Sequence, residues 1–175
     1  MYSLLARVAR ATLAATVFAA TFTVSLALPD PASASPTNSS PAELKCLAEA
    51  LYFEARGEPL AGQKAVAEVI LNRRDSGRFP TSICGVVKQG GKGGCQFSYH
   101  CGGANRAIRE KSAYMRVKRV AEAALAGSPR NLTGGATYFH TPAVRPSWSK
   151  RFTRTARIGR HIFYRPGKSQ RVASN

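Results

Sequence analysis

The chain has 175 residues, with 26 lysines and arginines against nine acids and a formal net charge of +17. That length holds one domain with a real core and leaves little room for a second. The charge favours polyanions, whether nucleic acid, acidic lipid surfaces or an anionic cell wall, but it specifies no reaction.

Residues 1–34 open with Arg7 and Arg10, continue with an apolar run from Ala11 to Leu28 and end in Ala32-Ser33-Ala34. This is the pattern of a secretory signal peptide cut after Ala34. An uncleaved anchor is the alternative, since the run is nearly long enough to span a bilayer. No later run is, so the mature protein is expected in the periplasm or extracellular envelope, without stable membrane insertion. Loss of Arg7, Arg10 and Asp30 would leave it at +16. Residues 35–43, "SPTNSSPAE", read as a flexible linker. Residues 44–167 form the domain proper, and 168–175 a basic C-terminal tail.

"AELKCLAEALYFEARGE" carries apolar residues at Leu44, Leu47, Ala48, Leu51, Tyr52 and Ala55, the spacing of an amphipathic helix. Gly57 ends it and Pro59 forbids simple continuation. A second helix is expected over residues 61–74, with Ala65, Val66, Val69 and Ile70 inward. The glycine-rich "SICGVVKQGGKGGCQFSYHCGG" is expected to be irregular, with a long loop. "SAYMRVKRVAEAALAG" returns to helical spacing and stops at Gly127. "GGATYFH" and "ARIGRHIFYR" are aromatic and β-branched and predict short strands. The fold class is therefore α+β, mainly helical with a small β part.

Cys46, Cys84, Cys95 and Cys101 make an even count, which in an oxidising compartment predicts two disulfides. Four cysteines allow three pairings, and sequence does not choose among them. The favoured one makes Cys95–Cys101 a local clamp and Cys46–Cys84 a long-range staple. No Cys-x-x-Cys occurs, and His100 beside Cys101 is poorly placed as a second ligand, so no metal site is expected.

Two of the few acids, Glu54 and Glu58, stand one helical turn apart. Glu54 follows Leu51 by three residues and Leu47 by seven, so it shares their face and points toward the border of the core. Such a border disfavours the charged form and raises the carboxyl pKa. A glutamic acid so placed can donate a proton near neutral pH, as glycosidic cleavage requires. The plainer alternative is an ion pair with Arg56 or Arg73. Glu58, near the start of the second helix, could cap that helix or favour its N-terminal dipole.

The string "CLAEALYFEARGEPLAGQKAVAEVILNRRDSGRFPTSICGVV" resembles the bacterial cell-wall hydrolase family that includes the spore-cortex-lytic enzymes. "CQFSYHC", "GGATYFHTP" and "ARIGRHIFYR" are similar to that family's other blocks, and the resemblance covers residues 45–165. It implies a lysozyme-like, transglycosylase-type fold and makes residues 44–167 a catalytic domain acting on peptidoglycan. It implies that Glu54, the first acid of the Glu-Ala-x-Gly-Glu motif, is the essential glutamate. The implied reaction breaks the MurNAc–GlcNAc bond, with the sugar's own C6 hydroxyl closing a 1,6-anhydro end. If water attacks instead, a second carboxylate is needed. Glu58 and Glu68 are the candidates, and both have competing structural roles.

Gln96, Phe97 and Ser98, inside the expected disulfide loop, match a family block and are candidates to line the cleft, as are Tyr138 and His140. Trp148 could stack on a sugar or merely anchor its loop, and His161 reads as structural. No Gly-x-Ser-x-Gly, His-Glu-x-x-His or phosphate loop appears, and no cofactor is called for. The partner expected is a peptidoglycan glycan strand, met by a monomer. Two rival readings are a catalytically silent wall-binding module and a secreted cationic nucleic-acid-binding protein. Against the second, no basic patch is interleaved with aromatics as a stacking platform, so no nucleic acid is expected.

Overall fold

The first helix, α1 (Pro41–Ala55), starts where the Ser40 side chain accepts a hydrogen bond from the Glu43 N–H and Pro41 occupies the first turn. These features are described by a computed structural model, which covers residues 40–91, 94–101 and 106–167. The expected leader, residues 1–34, and the tail, 168–175, lie outside the described residues. The expected linker is too long at its end, because residues 41–43 are helical. Glu43 belongs to the fold. Its carboxylate accepts from the Ile83 and Cys84 N–H groups at 2.6 and 3.2 Å and so caps α3 (Ile83–Lys88).

The apolar piece at Ile83 to Val87, expected to be irregular, is that short helix. Ser82 also caps it, and Ile83, Val86 and Val87 are buried. The Cys46–Cys84 disulfide fastens it to α1.

Helix α2 (Leu60–Asp75) is buried continuously from Ala65 to Leu71. It packs against α1, α3 and α4, and its buried polar residues, Gln63, Glu68 and Arg73, all have hydrogen-bond partners. Helix α4 (Lys111–Leu125) is amphipathic. It buries Ala113, Val117, Val120, Ala121 and Leu125 against α1 and α2, and Gly127, at φ 93°, ends it.

After α3 the chain makes a minimal hairpin, β1 (Gly90–Gly91) with β2 (Gly94–Cys95), then a 3-10 turn at Ser98–His100 closed by the Cys95–Cys101 disulfide. The second sheet is antiparallel, in the order β3 (Tyr138–His140), β5 (His161–Arg165), β4 (Thr153–Ile158). Its inner face carries Phe139, Ala156, Ile158, His161 and Phe163, with Phe163 fully buried. Its outer face carries Tyr138, His140, Ile162 and Tyr164, packed under Trp148 from the 3-10 turn Ser147–Lys150. Among the described residues no helix is long and apolar enough to cross a membrane.

Candidate active site

Glu54 occupies the last turn of α1, half-buried, as its spacing from Leu47 and Leu51 requires. Among the described residues no hydrogen bond or ion pair holds its carboxylate. Both expected cationic partners are otherwise engaged. Arg56 pairs with Glu110 at 3.0 Å and donates to the Tyr52 carbonyl. Arg73 is inside the core, and its Nε donates to the Thr137 carbonyl at 2.6 Å. Burial pushes the Glu54 carboxyl up to about 7, and the charge of Arg73 holds it from going further.

Arg73 is the hub of the site. Its guanidinium carbon lies 5.2, 5.6 and 5.4 Å from the ring centres of Phe79, Phe97 and Tyr138. Its Nη1 is buried without a hydrogen-bond partner among the described residues. Burial lowers its pKa to about 10, against the pull of Tyr138 and Glu54. A desolvated, always-charged group so near a carboxylate stabilises the anion left once a proton has been given up.

Tyr99 forms another wall. Its ring stacks on Phe53 at 4.5 Å, and its hydroxyl is buried without a hydrogen-bond partner. Burial raises its pKa, helped by the charges of Glu49 and Glu54. The structure thus gathers Glu54, Arg73, Phe97, Tyr99 and Tyr138. The sequence reading singled out neither Arg73 nor Tyr99 as a site residue. Tyr99 had a usable signal, being the next residue in the loop that supplied three candidates. Arg73 was named only as one of two possible ion-pair partners of Glu54, because a buried arginine and a surface one look alike in a string.

The other candidates divide. Gln96 and Ser98 are exposed on the clamped loop, while Phe97 is 1% exposed and supports Arg73 from below. Phe97 is therefore not an open sugar-facing ring. Tyr138 is buried between Phe79, Trp148 and Phe152. His140 is fixed, with Nε2 3.1 Å from the Tyr164 hydroxyl and Nδ1 2.8 Å from the Thr141 carbonyl. Trp148, half-buried, touches Tyr138, His140, Phe152 and Tyr164 and roofs the outer face of the sheet.

Glu58 has quite different surroundings. It is 6% exposed and accepts from the Arg160 N–H and Nε, each at 3.0 Å, with His161 Nδ1 at 3.9 Å. Burial alone would raise its pKa. The two Arg160 hydrogen bonds, with the charges of His161 and Arg160, outweigh that and hold it below the usual carboxylate value. Glu58 makes no cap on α2, whose N-cap position is Pro59 with no side-chain bond. It anchors the β4–β5 turn instead, where Gly159, at φ 57°, leaves room for its carboxylate; a Cβ there would overlap Oε2. Glu68 is likewise occupied, holding the Leu132 and Thr133 N–H groups and the Thr133 hydroxyl. Among the described residues no group of three or more His, Cys, Asp or Glu could hold a metal.

Residues 57–164 match a family model described as Cell Wall Hydrolase, a segment that begins three residues after Glu54. The chain is 36% identical over 133 residues to a spore cortex-lytic enzyme of Halalkalibacterium halodurans, covering 73% of this chain and 36% of that protein. It is 34% identical over 124 residues to the Bacillus subtilis spore cortex-lytic enzyme, covering 69% and 37%. The chain therefore spans little more than a third of these relatives' length. Among solved structures it is similar to the catalytic domain of the germination-specific lytic transglycosylase SleB of Bacillus anthracis. The TM-score is 0.56 at 30% identity, over 72% of this chain and 96% of that one. The catalytic domain of Bacillus cereus SleB gives 0.57 at 32%, over 72% and 91%.

Proposed function

This chain belongs to the cell wall hydrolase family and has its lysozyme-like, transglycosylase-type fold, and we propose that it cleaves the MurNAc–GlcNAc bond of peptidoglycan as a lytic transglycosylase. One observation carries the choice of residue. Among the described residues Glu54 is the carboxyl whose surroundings keep its proton near neutral pH, with no hydrogen-bond or ion-pair partner to take it away. In the proposed reaction Glu54 gives that proton to the glycosidic oxygen as the C1–O bond breaks. The sugar left behind has oxocarbenium character. The Glu54 carboxylate, now an anion steadied by Arg73, takes the proton of the C6 hydroxyl while O6 bonds to C1. The acid is restored, no water is consumed and a 1,6-anhydro end results.

The engagement of Glu58 and Glu68 favours this one-acid route over a two-carboxylate hydrolysis, since both carboxylates are buried and spend hydrogen bonds on holding distant loops. The leader pattern supports action outside the cytoplasm, and the positive charge supports retention on an anionic wall. The deciding experiment is mass spectrometry of muropeptides released from purified peptidoglycan, with Glu54→Gln alongside. Anhydro-muropeptides from the parent alone are expected. Reducing ends would replace the transglycosylase with a hydrolase, and no release from either protein would leave a wall-binding module.

A further inference from the structure

Arg154 and Arg157 lie three residues apart on the edge strand β4. In a regular strand that odd spacing would place them on opposite faces. The register shift between Arg154 and Ala156 cancels the odd step, so that Arg154 pairs with Tyr164 and Arg157 with Ile162. Tyr164 and Ile162 are two apart on β5, so both arginines stand on one face, the outer one. Strand β3 sets Tyr138 and His140 opposite the same two residues. Two rows therefore cross the sheet, Tyr138–Tyr164–Arg154 and His140–Ile162–Arg157. With strands spaced ~4.8 Å apart, the arginines lie about 10 Å from the β3 row. That row starts beside Arg73, the neighbour of Glu54.

Both arginines are exposed, and among the described residues neither has an ion-pair or hydrogen-bond partner. Bulges at sheet edges re-aim side chains, and this one brings two like charges onto one surface. An anion between or beside them relieves that repulsion, and guanidinium forks suit carboxylates in particular. We propose that Arg154 and Arg157, at the open edge of the sheet beyond the Trp148 roof, bind the free carboxylates of peptide substituents on a glycan strand held at the Glu54 site. The identity of the strand rests on the function proposed above. The binding step does not need turnover.

The test is cosedimentation of the full chain carrying Glu54→Gln, which leaves the polymer uncut, with purified peptidoglycan. The polymer is used as prepared and after chemical amidation of its peptide carboxylates. Arg154→Gln/Arg157→Gln should weaken binding to the native polymer several-fold and leave binding to the amidated polymer unchanged. Arg154→Lys/Arg157→Lys should fall between. Arg116→Gln/Arg119→Gln removes the same charge from the exposed side of α4 and should bind as the starting protein does. Undiminished binding by the β4 glutamine variant overturns the proposal. So does an equal loss in the α4 variant, which would assign retention to bulk charge. Muropeptide release by protein with native Glu54 is scored separately, so failure of the catalytic reading and failure of the arginine pair are distinguishable.

Discussion

Glu54 and Glu58 are four residues apart, one in the last turn of α1 and the other in the turn before α2, and their pKa values shift in opposite directions. Glu54 is half-buried with no donor to accept from among the described residues, and its carboxyl is pushed up to about 7. Glu58 is also buried, yet held below its ordinary value by the Arg160 backbone and side chain. Burial raises both, Glu54 the more, and among the described residues only Glu58 has hydrogen-bond donors to offset it. A buried carboxyl supplied with donors becomes a structural anchor, and one denied them becomes a proton source.

The contrast breaks most visibly in activity. Glu54→Gln should reduce muropeptide release by at least ~10²-fold, the lower end of what a general acid contributes, with the fold intact by circular dichroism. Retained release would remove Glu54 from the chemistry. Glu58→Ala should act on stability instead. Arg160 would lose its acceptor and a buried contact would open, costing about 1–3 kcal/mol in denaturant unfolding. Release per folded molecule should persist, and a complete loss in well-folded protein would make Glu58 the second carboxylate.

The pH profile sharpens the pair. A proton donor is lost as pH rises through its pKa, so release should decline above about pH 7. Arg73 lowers the Glu54 pKa, so Arg73→Met should move that limb upward and Arg73→Lys should restore it. An unmoved limb in the methionine variant would show that Arg73 acts only through packing.

The smallest effect is in stability against pH. The folded-state pKa of Glu54 is raised, so its ionisation destabilises the fold progressively as pH climbs from about 4.5 to about 7. Glu54→Gln should therefore stabilise the protein by on the order of 1 kcal/mol at pH 8 and by nothing near pH 4. Glu58 has the opposite sign. Its contribution is full above its unfolded value and is lost as pH falls through its depressed folded one. Melting curves of the two variants across pH should diverge at opposite ends, and parallel curves would mean that the two carboxyls share one environment.

The sequence by itself determined the helices with clear periodicity, the segment that became β3, the run from Ala156 that became the end of β4 and all of β5, and the position of Glu54 at the edge of a buried face. Those follow from local spacing, which fixes which side chains share a face whatever the rest of the chain does. It opened the helical string at Ala42 but ran the linker on to Glu43, because that run looks polar and loose until Ser40 and Pro41 are seen as a helix start. It missed α3, which is too short for periodicity to register and draws half its capping from Glu43, 40 residues away in the chain. The tertiary structure alone decided which arginine would be buried beside Glu54 and which glutamate would receive donors. It also decided that a bulge would turn two β4 arginines to one face. Each of these depends on groups supplied by distant segments, such as Thr137 for Arg73 and Arg160 for Glu58. Partners that meet only on folding leave no mark in a local pattern.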